Sequence, residues 1–431
     1  MSAPSELRLP GALPLGTDVP LPPLLEVTQI FPRPRIADVA AAVRDGLRPL
    51  VASLRGRRIA VTAGSRGIRD IVPALAGAVA ALRDAGADPV ILAAMGSHGG
   101  GTAEGQLRVL THLGITEKAL GAPVLSSMEV VELGRTPGGF AVYLDRNAAY
   151  CDGIVVVNRI KPHTAFVHRF GSGLLKMLAI GLGKAQGAAQ AHRLGADRMP
   201  QCIEEVARAL LAGGRVVASV AILENAYDET AAVEVLPPAA IPEREPILYE
   251  QAQRGMPRLP VEEADVLVVE EMGKNYSGTG IDVNIIGRWR HPTIPDPPAP
   301  RFRRIVALRL SPASEGNAQG VGLADVVTAR LAGAIDFAAT YLNAVTSTYL
   351  ERVFLPVVAP SDRAAIQIAL RSIDLPRPEA ARLVLIPNTL HLERLWVSES
   401  LLPALVGQPG IAVGPPRPWD FTAGGDLAHL T

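Results

Sequence analysis

Cysteine is nearly absent from this chain: Cys151 and Cys202 are its 2 cysteines among 431 residues. They lack metal-type spacing, so two buried thiols are expected in place of a zinc module or a disulfide. No charge dominates either, with 42 basic and 42 acidic residues. That removes the electrostatic footprint of a nucleic-acid binder. Long apolar runs are missing, and the run over residues 216–223 falls far short of the ~20 residues a bilayer demands. The start, Met1-Ser-Ala-Pro-Ser-Glu, shows no basic segment leading into an apolar core, so no secretory leader is read. The expected compartment is the cytoplasm, with no membrane and no nucleic acid among the partners.

Lysine is scarce as well. Basic charge is almost all arginine, and the only lysines are Lys118, Lys161, Lys176, Lys184 and Lys274. A chain that otherwise uses arginine keeps lysine where a compact charge or a nucleophilic amine is needed. Three of these lysines fall in one stretch, which opens Asn158-Arg-Ile-Lys-Pro-His163 and passes through Gly171-Ser-Gly-Leu-Leu-Lys176 to His192. Donors, bases and glycines at that density are what a site requires.

The length implies two domains. Helical spacing over residues 36–54 precedes a buried strand at 58–62, which ends in Ala63-Gly-Ser-Arg66. A helix over 70–85 and a strand over 89–94 lead to Met95-Gly-Ser-His98-Gly-Gly-Gly-Thr102 and a helix over 103–113. A strand at 153–157 opens the focal stretch; a helix over 199–211 and a strand over 215–224 follow. Alternating strands and helices imply a mostly parallel sheet covered on both faces. Arg66, His98 and His163 then share an address beyond the carboxyl ends of strands, where open α/β sheets bind ligands. Residues 1–34 read as an extended arm and 224–260 as a linker or covering helix. A smaller α/β unit follows, its first strand ending in Met272-Gly-Lys274. The expected division is residues 1–262, catalytic and cofactor-binding, and 263–431, closing an interdomain cleft that holds the active site.

Gly181-Leu-Gly-Lys184 fails as an ATPase P-loop, since Leu178 stands where the earlier glycine is required and Ala185 where Ser or Thr should follow. The loop Gly99-Gly100-Gly101-Thr102 misses the Rossmann spacing because Glu104 replaces the third glycine, yet its backbone N–H groups suit a phosphate. His98 and His163, reached from neighbouring strands, suit acid/base work on two faces of a substrate. His192 can ligate a metal only with help from other donors. His112, His168, His291, His391 and His429 are read as surface or core histidines.

The loop Ala63-Gly-Ser-Arg66, Gly-Ser-His98, Pro-His163, and Ser172-Gly-x-x-Lys176 with His192 sixteen residues on resemble, in that order, the nickel-pincer lactate racemase family. The likeness runs over residues 59–192 and more loosely over 273–284. It implies a racemase or epimerase of a 2-hydroxy acid, working by proton-coupled hydride transfer through a 2-keto acid. It also implies a nickel-pincer nucleotide (a pyridinium-3-thioamide-5-thiocarboxylic acid mononucleotide) carried covalently on Lys176 and installed by cofactor-biosynthesis proteins. By this resemblance His192 ligates nickel, His98 and His163 are the acid/bases, and Gly99, Gly100, Thr102, Ser172 and Gly173 surround the nucleotide. Arg66 holds substrate, with Lys274, Arg288 or Arg290 supplying a second cation.

Ala63 occupies the place where the family's lactate-specific members carry an acidic residue, and the interval from His163 to Lys176 is longer. These departures point to a substrate larger or more polar than lactate. The residues by themselves leave two alternatives open: a hydro-lyase using the two histidines, and a non-catalytic ligand-binding paralogue.

Overall fold

A computed structural model describes residues 19–428 apart from residues 66 and 374. Contacts divide the chain into two units, Pro32–Met256 and a second one that joins the described residues up to Phe31 with those from Pro257 onward. The expected division kept everything up to residue 262 together; contacts instead break the chain after Met256 and assign the described residues up to Phe31 to the second unit. The N-terminal arm is a strand: β1 (Leu24–Gln29) pairs antiparallel with two strands from the far end of the chain.

In Pro32–Met256, Asp38 caps α1 (Val39–Val51) by accepting from Ala41 N at 2.9 Å, and the buried stripe is the Val39, Val43, Leu47, Val51 series seen in the spacing. β2 (Arg58–Ala63), α2 (Ile71–Asp84), β3 (Asp88–Ala93) and α3 (Ala103–His112) follow. After α4 (Glu117–Leu120) and β4 (Val124–Leu125), the hairpin β5 (Val130–Arg135) and β6 (Ala141–Asp145) is a separate small sheet. α5 (Arg146–Ala149) leads to β7 (Gly153–Arg159). Then come α6 (Leu174–Lys176), a π-helical turn Met177–Gly181, α7 (Lys184–Arg193) and α8 (Gly195–Ala212). β8 (Val216–Glu224), β9 (Thr230–Leu236) and α9 (Ile241–Gly255) finish the unit. α8 begins earlier than the expected helix over 199–211. The stretch read as a linker or covering helix supplies a strand and a helix.

The sheet order is β4-β3-β2-β7-β8-β9, parallel except for β9. Successive residues face opposite sides. Ile59, Val61, Ile91, Val155 and Val157 pack against α1 and α2, whereas Ala60, Val90, Leu92, Ile154 and Val156 pack against α6 to α9. The chain winds one way from β2 to β4 and the other way from β7. The strand order therefore reverses between β2 and β7, where such sheets bind ligands.

The second unit holds β10 (Glu263–Met272), α10 (Val283–Ile286), β11 (Arg301–Leu310), β12 (Val326–Thr328), α11 (Ala329–Gly333), α12 (Phe337–Ser347) and β13 (Val357–Ala359). α13 (Asp362–Arg371), β14 (Leu383–Ile386), β15 (Arg394–Ser398) and β16 (Ile411–Arg417) complete it. Its sheet runs β13-β12-β11-β10-β14-β15-β1-β16, parallel from β13 to β14 and antiparallel beyond. The protein is α/β with two mixed, mostly parallel sheets, as the alternation of elements implied.

Candidate active site

The loops after β2, β3 and β7 meet at the carboxyl edge of the first sheet. β2 lies between the other two, so the loops that bear His98 and His163 leave strands on either side of it. Arg66, the expected substrate arginine, lies outside the described residues. Its neighbour Ser65 is informative: its hydroxyl makes a short hydrogen bond to Nδ1 of His98. A hydroxyl can accept from a protonated Nδ1, which orients the ring and leaves the far nitrogen for proton exchange. Sequence reasoning passed over Ser65 because a serine beside a glycine is an ordinary turn residue.

His163 is held differently. The Ala165 N–H donates to its Nδ1 at 3.0 Å and the ring stacks on Phe166 with centroids 4.4 Å apart. A backbone donor facing Nδ1 fixes the neutral tautomer with its proton on Nε2. His163 can thus offer its Nε2 proton as a hydrogen bond, and must break the Ala165 contact to become an imidazolium. The two histidines are unequal by construction.

The glycine loop after β3 has two kinds of glycine. Gly99 has φ +68 and a side chain there would reach the Gly105 carbonyl carbon at 2.5 Å, so packing against α3 demands glycine. Gly100 and Gly101, also at positive φ, face open space. The Thr102 hydroxyl is committed to α3, accepting from Gly105 N at 3.0 Å. Its role is the helix cap.

Lys176 closes α6 and is half-buried. The π turn follows it at once, marked by the bond from Leu182 N to Met177 O at 2.9 Å; such turns concentrate at functional sites. The turn packs on the strand exits: a side chain at Gly64 would touch Met177 Cε at 3.3 Å, and one at Gly96 would touch Ile180 Cγ2 at 3.2 Å. Asn158, at the end of β7, donates to Gly173 O at 2.8 Å and ties the focal turn to the sheet. Ser172 pairs with Lys161 through backbone bonds. Gly173 has a reason the sequence hid. A Cβ there would lie 2.2 Å from Glu245 Oε1 of α9. That fully buried carboxylate accepts from Leu175 N at 2.8 Å, and burial pushes its pKa up to about 8. Close packing against Glu245 accounts for Gly173 without any phosphate.

His192 lies in the last turn of α7. Its Nδ1 is buried with no protein hydrogen bond. Burial first, and the Lys176 charge second, hold its pKa down to about 4. A neutral imidazole with an orphaned nitrogen is available to a metal at ordinary pH. Among the described residues no group of three His, Cys, Asp or Glu gathers to hold one, so a metal on His192 would need donors from another source. His168 also has a buried Nδ1 without a partner and lies edge-on to Phe170 at 4.5 Å. Cys151 and Cys202 are buried free thiols, as expected.

In the second unit Lys274 follows the carboxyl end of β10, donating to Gly278 O at 2.8 Å and to Asn343 Oδ1 at 2.5 Å. Arg288 and Arg290 are placed elsewhere. Both guanidinium groups bind Asp325 at 2.7 Å, and Arg288 also reaches Phe302 O at 2.9 Å, near the start of β11. They lie toward the amino ends of β11 and β12, away from the strand ends that carry Lys274, and their ion pairs give them structural roles. Of the three candidate cations, only Lys274 sits where such a sheet binds ligands.

Residues 56–201 match the lactate racemase N-terminal domain family. The solved structure of the lactate racemase apoprotein from Thermoanaerobacterium thermosaccharolyticum aligns over 90% of this chain and 96% of that one, with a TM-score of 0.52 at 13% identity. At that identity the likeness is one of fold. No curated protein matches.

Proposed function

We propose that this chain, which carries the N-terminal domain of the lactate racemase family over residues 56–201, is a racemase or epimerase of a 2-hydroxy acid. What supports this reading is that the loops bearing His98 and His163 leave the strands on either side of β2, with the π turn between Lys176 and His192 packed on the strand exits. The fit to a nickel-pincer nucleotide rests on Lys176 and on the orphaned Nδ1 of His192. Lys176 would carry the group covalently and His192 would ligate its metal. Bound there, the nucleotide would supply an acceptor and donor for the C2 hydride.

The remaining work falls to residues of this chain. His98 takes the substrate hydroxyl proton at the ring nitrogen opposite the one held by Ser65, and Ser65 stabilises the resulting imidazolium. His163 presents the Nε2 proton to the other face. In either direction His163 must surrender its Ala165 contact, because the imidazolium acid and the neutral base open at Nε2 both carry a proton on Nδ1. Arg66 is the cation proposed for the substrate carboxylate. Ala63 is fully buried and brings no charge to the site, in keeping with a substrate other than lactate.

The test uses protein produced with a cofactor-synthesis system and a panel of C2-deuterated hydroxy acids. Racemisation with deuterium retained, and a nucleotide-sized adduct on Lys176, is the expected result. Loss of deuterium to solvent, or elimination of water by nickel-free protein, would sink the reading in favour of a hydro-lyase.

A further inference from the structure

The chain contains a fully buried lysine for which the reaction above has no use. Lys184, the last residue of the rejected Gly-Leu-Gly-Lys motif, is 0% exposed and has φ 54, a left-handed conformation rare for a side chain of its size. Its glycine neighbours answer to packing: a Cβ at Gly181 would lie 2.8 Å from Ala94 O, and one at Gly183 would lie 2.3 Å from Ala179 O. The Lys184 ammonium donates to Ala93 O at the end of β3 (2.6 Å) and to Gln106 Oε1 on α3 (2.5 Å), and it forms an ion pair with Asp145 Oδ2 at the end of β6 (3.4 Å), an oxygen that accepts no hydrogen bond.

Gln106 is the link onward. It is fully buried, and its amide nitrogen donates to Gly96 O at 2.8 Å and to His98 O at 3.3 Å. Its oxygen accepts from Lys184 and, at 3.2 Å, from Ser126. These partners fix the amide orientation, because only the nitrogen end can face two carbonyls. A continuous buried network therefore runs from the first residue of α7, the helix that bears His192, to the backbone of His98. Buried hydrogen bonds in series at low dielectric reinforce one another and resist displacement.

We infer that Lys184, acting through Gln106, is a positioning residue that holds the His98 loop in register with α7, the helix carrying His192. This deepens the proposed function and rests on it only in treating His98 as an acid/base; the clamp itself is a property of the apoprotein. A displacement of His98 of the order of 1 Å would cost up to about 100-fold in turnover. Lys184 belongs to the site although it touches neither substrate nor cofactor.

The experiment compares full-length apoprotein with Lys184→Met and Gln106→Glu. The second variant keeps the contact to Lys184 but turns an oxygen toward the carbonyls of Gly96 and His98. Lys184→Met strands Asp145, so Lys184→Met/Asp145→Asn accompanies it, and thermal unfolding reports whether each variant is folded. Ring nitrogens are followed by NMR in histidine-labelled protein, with the His98 signals assigned from His98→Gln. The expected result is a shift of at least about 0.5 unit in the His98 titration, or loss of its single tautomer, with His112 unmoved. The double variant Lys184→Met/Gln106→Glu should add little to either single change, as members of one chain do. In loaded enzyme, kcat should fall about 10- to 100-fold with KM nearly constant. A folded Gln106→Glu protein whose His98 titrates as in the wild type would overturn the proposal. If the titration shifts while His98→Ala retains full turnover, the clamp stands and the proposed function fails.

Discussion

Glu245 offers the sharpest test of the energetics. It sits with no exposed surface beneath the turn that delivers Lys176, one oxygen bound to Leu175 N and the other without a hydrogen-bond partner. Burial raises its pKa from 4.5 to about 8. The unfolded chain ionises near the lower value and the folded chain near the higher. Between them the folded state binds the extra proton, so stability is fully present below pH 4.5 and is lost as pH rises through about 8. At 1.36 kcal/mol per unit, the displacement corresponds to a loss of about 5 kcal/mol. Glu245→Gln keeps the shape and an acceptor for the α6 N–H groups while abolishing the charge. The variant should match the wild type at pH 5 and exceed it by several kcal/mol at pH 8.5, read as urea or thermal unfolding at the two pH values. Parallel pH profiles for the two proteins would refute the reasoning, because they would mean that the carboxyl ionises on reorganising water or side chains around it.

Other perturbations separate the roles of neighbouring residues. Gly173→Ala places a methyl 2.2 Å from Glu245 Oε1 and should cost about 1–3 kcal/mol by overpacking; Gly173→Ala/Glu245→Ala should recover part of it in the same unfolding assay. Ser65→Ala removes the partner of His98 Nδ1 and should lower the apparent pKa of the base limb in the pH–rate profile, with kcat down about tenfold. His98→Ala and His163→Ala should each abolish racemisation yet leave nickel bound, whereas Lys176→Ala should abolish both; metal analysis beside an activity assay decides.

The carboxyl-edge loops were legible because their signals are local. A β-branched run such as Ile154 to Val157 can only be a buried strand, and glycine or proline beside His98 and His163 can only be loop. The resemblance then followed from motif order. Sequence could not choose among Lys274, Arg288 and Arg290, because a cation near a strand end in sequence can travel with the chain to the strand's other end, as the two arginines do to meet Asp325.

Sequence alone thus determined most of the elements, the alternation that makes a two-faced parallel sheet, and the loops that carry His98 and His163. Backbone sterics and side-chain period act over a few residues and leave their mark there. Tertiary structure decided what those residues lean on. Lys184 finds Ala93 across 91 positions, Glu245 finds Leu175 across 70, and β1 joins β15 across most of the chain. A buried polar group must be satisfied by whatever packing brings to it, and no local pattern records which distant residue that will be.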